Sequence, residues 1–185
     1  MPTVAEGWLA SARRVLSPNC DSRPAGTGIT LAVVHSISLP RGHYRRKSGG
    51  SAIERLFTNR LDPAEHPSFA ELAGLRVSAH FLIYRDGELL QFVPLQQRAW
   101  HAGASRWRGR ERCNDFSVGI ELEGTDDGRF AAAQYESLVV VLRKLQAVLP
   151  LQDIAAHSDV APGRKSDPGP RFDWARFLQQ LARAA

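Results

Sequence analysis

Residues 155–174, AAHSDVAPGRKSDPGPRFDW, gather His157, Lys165 and Asp167 among three prolines. A neutral imidazole and a carboxylate are good zinc donors, and a catalytic zinc takes three protein ligands and leaves a fourth position for water. Two donors are in hand, so a third must come from elsewhere in the chain. His35, following the apolar run 31–34 in LAVVHSISLP, has the form of a donor carried to the end of a buried strand. The candidate ligand set is therefore His35, His157 and Asp167. Lys165, two residues before Asp167, could set its ammonium against a developing oxyanion. Pro168 biases Asp167 toward extended backbone and Pro170 restricts the next turn, a stiffness that suits a residue holding a metal at about 2 Å. Spacing alone leaves a structural alternative open, in which His35 is a core histidine, His157 a loop residue and Asp167 part of an Asp-Pro-Gly-Pro turn.

The elements that must position these residues can be read from apolar periodicity. Residues 31–37 form a central strand buried on both faces, with His35 near its exit. Residues 51–58 and 64–73 are expected as two short helices, Pro67 delaying the start of the second. HFLIY and ELLQFVPL flank Arg85-Asp86-Gly87, where Asp-Gly signals a hairpin. Residues 99–114 carry Trp100, His101, Trp107 and many arginines but few periodic apolar residues, and read as a long functional surface loop.

In SVGIELEG, Val118, Ile120 and Leu122 alternate with Ser117, Gly119, Glu121 and Glu123. Two carboxylates thus share a face, with Gly119 leaving room beside them. A carboxylate there can accept a proton from water and pass it to a leaving nitrogen, and parity does not separate Glu121 from Glu123. Tyr135, Leu138, Val139, Leu142, Leu145 and Leu149 make a helical stripe closed by Pro150; Trp174, Phe177, Leu178 and Leu181 make another, both expected to pack the core. The expected fold class is α+β, a central mixed β-sheet flanked by helices in a single domain spanning residues 1–185.

Composition sets the outer bounds. A chain of 185 residues with 43% hydrophobic and 23% charged residues can bury a sizeable core. The N-terminus has an acidic residue and only a short apolar stretch, and no apolar run approaches the roughly 20 residues that span a bilayer, so a cytosolic location without membrane contact is expected. Cys20 and Cys113 are then free thiols. The net charge of +5 peaks at Arg45, Arg46 and Lys47. No nucleic-acid motif surrounds that cluster, and steering of a small acidic substrate accounts for the charge as well as a nucleic-acid partner would.

Four blocks, VVHSIS, LRVSAHFLIYRDGELLQFVPLQQRAWHAG, GRERCNDFSVGIELEGTD and HSDVAPGRKSDPGP, stand in this order and cover most of the chain. Together they resemble the zinc-dependent N-acetylmuramoyl-L-alanine amidases, a family that includes amidase-type phage lysozymes and peptidoglycan recognition proteins. The resemblance implies one Zn2+ held by His35, His157 and Asp167, Glu121 rather than Glu123 as the acid–base, and Lys165 as the catalytic cation. Where the phage lysozymes carry a catalytic tyrosine ahead of the strand histidine, this chain has Ala79 before His80, which leaves the proton work to Glu121. The resemblance also implies Arg76 and Arg112 as partners of peptide or lactyl oxygens and Trp100 as a stacking surface. Ser36 stands where the family pattern has asparagine, and its shorter side chain bears on fine specificity.

The implied reaction is hydrolysis of the bond between the lactyl group of 1,6-anhydro-N-acetylmuramic acid and L-alanine in cytosolic muropeptides recycled from the cell wall. In a host with an inducible chromosomal β-lactamase, that would lower the inducing signal. Two alternatives share the same substrate chemistry: a muropeptide receptor without catalysis, and an amidase of intact peptidoglycan. His80 and His101 fall in matched blocks at the edge of the implied pocket and are expected in hydrogen-bonded structural roles. His43 and His66 are expected at the surface.

Overall fold

The alternation in SVGIELEG becomes the centre of a six-stranded sheet. In the computed structural model, which describes residues 4–44 and 50–183, the strands are β1 (Arg13–Arg14), β2 (Leu31–Ile37), β3 (Phe81–Ile83), β4 (Leu89–Gln91), β5 (Ser117–Glu123) and β6 (Asp153–Ala156). Their order is β6-β2-β5-β3-β4-β1. The first four run parallel to one another, β4 pairs antiparallel with β3, and β1 lies parallel to β4 at the edge. The expected mixed sheet flanked by helices is the observed one. The basic cluster Arg45, Arg46 and Lys47 lies outside the described residues.

Alternating residues of the sheet face the helices. Ala32, Val34, Val118, Ile120, Leu122, Phe81 and Ile83 pack into one cluster with Leu138, Leu142 and Leu145 of α2 (Ala132–Gln146) and with Phe177 and Leu181 of the C-terminal helix, Trp174–Arg183. Each fully buried large side chain of this kind contributes about 1.5–3 kcal/mol. Leu178 departs from the expected stripe and is half exposed. Phe177 and Leu181, four residues apart, share one helical face, and Leu178 lies about 100° around from Phe177. No helix among the described residues is long and apolar enough to cross a membrane.

The hairpin forms where Asp-Gly placed it. Tyr84 accepts from the Gly87 amide at 2.9 Å, the Tyr84 amide donates to Glu88 at 3.0 Å, and Gly87 takes the left-handed φ of +87° that favours glycine. Residues 64–73 do not form one helix. Two 3-10 turns, Pro63–Glu65 and Pro67–Leu72, replace it. The break is at His66, which precedes Pro67 and is driven to extended backbone (φ −156°, ψ 140°). The freed amides are capped locally, Ala64 by Asp62 and Ser68 by the His66 ring. The loop over residues 99–114 is largely irregular but carries a two-residue ribbon, Arg106–Trp107 with Arg110–Glu111.

On the other side of the sheet from α2, helix α1 (Ala52–Phe57) is fixed by a polar cluster. Ser51 caps it and Glu54 reaches back to the Ser51 amide, a reciprocal capping box. The same carboxylate accepts from Tyr84 at 2.6 Å and from two Arg13 nitrogens at 3.1 and 3.2 Å, tying the helix to the edge strand. Burial raises the Glu54 carboxyl, but these donors outweigh it and hold its pKa below the ordinary 4.5. Arg13 is nearly half exposed and water screens its share, so Glu54→Gln should cost about 1–2 kcal/mol of stability at neutral pH, measured by denaturant unfolding. Because the folded pKa is the lower one, that contribution is complete above pH 4.5 and disappears as the pH falls through the folded value. The gap between native and variant should therefore close in acid.

Candidate metal centre

Three adjacent parallel strands end at one point. The register pairs His35 of β2 with Glu121 of β5, and Val34 with Ala156 of β6. His157, the next residue after β6, therefore stands on one side of His35 and Glu121 on the other. It also opens the one-turn helix α3 (His157–Val160). Carboxyl ends of parallel strands are where open α/β sheets bind ligands, because the chain leaves the sheet there and the side chains converge. Asp167 arrives from the proline-rich segment, which is docked through a 3.0 Å bond from the Ser158 amide to the Asp167 carbonyl.

The three candidate donors converge on one another. His35 Nδ1 lies 2.9 Å from His157 Nδ1, His157 Nδ1 is 3.0 Å from Asp167 Oδ2, and His35 Nδ1 is 3.4 Å from the same oxygen. Among the described residues this is the one group of three or more such side chains close enough to hold an ion. A tetrahedral site with bonds of 2.0–2.1 Å has edges of about 3.3 Å, close to this triangle. The proton arrangement fits a cation as well. His157 Nε2 faces the Ala102 carbonyl at 3.4 Å, an acceptor only, so a ring proton on Nε2 has a partner there and leaves the Nδ1 lone pair for a cation. His35 has its Nε2 against His101 Nδ1 at 2.9 Å. Burial pulls the His35 pKa down to about 4, against the opposing pull of Asp167, and the imidazole stays neutral at physiological pH. With both Nδ1 atoms unprotonated, two lone pairs and a carboxylate oxygen converge on one point, an arrangement that a cation stabilises.

The structure separates the two glutamates that parity left equivalent. Both are buried, but Glu123 accepts from the Arg85 amide at 3.1 Å, while Glu121 Oε2 finds no hydrogen-bond partner among the described residues. Burial, reinforced by the nearby Asp167 charge, pushes the Glu121 carboxyl well above 4.5, with Lys165 opposing. Lys165 is exposed, yet its charge reaches both Glu121 and His35. A buried carboxyl with a raised pKa beside a donor cluster has the properties of a proton carrier.

The four residues implied as substrate contacts are placed unevenly. Trp100 is half-buried and immediately precedes His101; its Nε1 donates to Asp21 at 3.2 Å. Asp21 is in turn gripped by Arg98 at 2.5 and 2.7 Å, which fixes the indole. Arg112 is exposed at the loop end and reaches Asp115 at 3.3 Å. Arg76 is exposed, two residues before Ser78, whose amide bonds the Trp100 carbonyl. Ser36 contributes its backbone amide, 3.4 Å from Asp167 Oδ2. His80 is fully buried and His101 partly buried, and both are hydrogen-bonded, as expected. Sequence reasoning gave no weight to the Ala102 carbonyl, Asn114 or Arg164, which together hold the loop against the two histidines. A main-chain carbonyl leaves no trace in sequence.

A family model described as N-acetylmuramoyl-L-alanine amidase matches residues 25–170. The chain is 57% identical over 176 residues to the 1,6-anhydro-N-acetylmuramyl-L-alanine amidase AmpD of Escherichia coli, with 94% of each chain covered. It is 44% identical over 181 residues to the AmpD of Haemophilus influenzae, with 96% of each covered. A crystal structure of a Se-Met AmpD derivative superposes with a TM-score of 0.92 at 53% identity, over 96% of this chain and 98% of that one. The AmiD amidase of Escherichia coli, solved with the substrate anhydro-N-acetylmuramic acid-L-Ala-D-gamma-Glu-L-Lys, is similar at a TM-score of 0.60 and 31% identity, over 86% of this chain and 60% of that one. A matching model over most of the chain, together with relatives aligned nearly end to end, establishes that the chain belongs to the N-acetylmuramoyl-L-alanine amidase family, whose members hydrolyse an amide bond.

Proposed function

We propose that this chain, acting as a single amidase domain, hydrolyses the amide between the lactyl group of 1,6-anhydro-N-acetylmuramic acid and L-alanine in muropeptides, using one zinc ion held by His35, His157 and Asp167. The observation that carries this reading is the convergence of two imidazole nitrogens and a carboxylate oxygen beside an oxygen of Glu121 that has no hydrogen-bond partner among the described residues. The substrates named for AmpD and AmiD agree with it. A cytosolic site of action is part of the reading, and the unpaired Cys20 and Cys113 accord with a reducing compartment.

His35, His157 and Asp167 would hold the zinc, which when bound would supply Lewis acidity toward a carbonyl oxygen and a lowered pKa for water. Glu121 accepts the water proton on its open oxygen and delivers it to the departing alanine nitrogen, tasks suited to a carboxyl whose pKa is raised. Lys165 holds a positive charge against the oxygen on which negative charge develops. Arg112 and Arg76 are exposed guanidiniums for lactyl or peptide oxygens. Trp100, pinned by Asp21, offers a fixed face for a sugar or peptide plane.

Release of peptide from a 1,6-anhydromuropeptide, followed by mass spectrometry, should stop when the protein is stripped with chelator and return with zinc. Intact substrate in the presence of zinc-loaded protein would favour a receptor. Asp167→Ala should lose zinc and turnover together. Glu121→Gln should keep its zinc while kcat falls by about 100-fold or more, and metal analysis showing an empty Glu121→Gln protein would overturn the division of roles.

A further inference from the structure

We propose that the dipeptide His101-Ala102 orients both imidazoles of the metal set, with His101 a positioning residue for His35; the proposal rests on the zinc reading above. His101 Nδ1 lies 2.9 Å from His35 Nε2, with the two rings perpendicular and their centroids 5.0 Å apart. His101 Nε2 lies 3.2 Å from Ser117 Oγ. If His35 gives its Nδ1 lone pair to a metal, its proton sits on Nε2, so His101 Nδ1 accepts and the His101 proton points to the serine hydroxyl. One chain of hydrogen bonds thereby sets two tautomers and the angle of the ligand ring.

The surroundings are built to hold this ring in place. A Cβ at position 119 would fall 2.4–2.7 Å from three His101 ring atoms, so glycine at the centre of β5 makes the space that the imidazole fills. Asn114 Oδ1 accepts from the amides of His101 and Ala102 at 3.3 and 2.8 Å and fixes the dipeptide's backbone. The Ala102 carbonyl then receives His157 Nε2 at 3.4 Å and Arg164 Nη2 at 2.5 Å. Arg164 also bonds the Ala104 carbonyl, at 2.8 Å from the same nitrogen. Two adjacent loop residues thus supply the outer hydrogen-bond acceptor for each metal-facing histidine. A histidine that merely filled space would need neither acceptor geometry nor a shared anchor.

The test compares native protein with His101→Phe, which keeps a ring but loses the acceptor, and His101→Asn, whose side-chain oxygen restores one. The zinc dissociation constant, measured by competition with a chromogenic chelator, should weaken about 10–100-fold in the phenylalanine variant and recover in the asparagine variant. Equal losses in both variants, or a phenylalanine variant that binds zinc like the native protein, would overturn the proposal. Nitrogen-15 NMR of the native zinc-loaded protein tests it without substitution, should the phenylalanine variant fail to fold. Protons on Nε2 of both His35 and His101 are expected, and a proton on His101 Nδ1 overturns it. Native protein that binds no zinc would instead sink the zinc reading, and this proposal with it.

Discussion

Everything at this site depends on the parallel register of β6, β2 and β5. Side chains alternate along a strand, so a one-residue slip of β5 against β2 would replace Glu121 with Ile120 or Leu122 and push a carboxylate into the cluster beneath α2. The core prevents this, since a one-residue slip would turn Val118, Ile120 and Leu122 away from α2. The pattern that stabilises the fold is therefore the pattern that aligns His157, His35 and Glu121. Chemistry and stability are set by opposite faces of the same strands.

That second face is costly to build. It buries His35, His80 and Glu121 and partly buries His101, groups that folding normally leaves in water. The histidines are made tolerable by neutrality and by hydrogen bonds. His80 accepts from the Gly119 amide and bonds the Gln97 carbonyl; burial and then the neighbouring Arg23 hold its pKa at about 3. Arg23 itself is wired to the carbonyls of Leu95, Asn114, Asp115 and Ser117, and burial draws its pKa down to about 10. These bonds join the loop over residues 99–114 to β5 from below. On this face, among the described residues, one oxygen of Glu121 is left without a hydrogen-bond partner, beside the converging His35 and His157 nitrogens.

The proposed substrate wall rests on a second network at the surface of the same loop. Arg98 grips Asp21 and also pairs with Asp115, Asp21 fixes Trp100, and Asp115 reaches Arg112. Trp100 is followed directly by His101, so the wall and the metal-orienting dipeptide are parts of one segment. Because the two are consecutive in the chain, substrate contacts and metal geometry are set by one piece of backbone.

The sequence by itself determined a good deal. The alternation in SVGIELEG, the apolar run before His35, the Asp-Gly turn and the helical stripe closed by Pro150 gave the sheet, the hairpin and α2, because period and turn chemistry are local properties. The donor types in the histidine-, lysine- and proline-rich segment, matched to His35, gave the candidate ligand set. Prolines were legible as interruptions, but their effect on residues 64–73 was underestimated, since Pro67 constrains His66 before it as well as its own position. Leu178 looked like core because composition does not report the angle at which a helix docks. Alternation left Glu121 and Glu123 equivalent and only the resemblance favoured Glu121; the tertiary structure added the physical difference, that Glu123 accepts from the Arg85 amide. It alone revealed the service of Ala102, Asn114 and Gly119 to the histidines, because a carbonyl's direction and a missing Cβ acquire meaning only when residues distant in the chain are brought into contact.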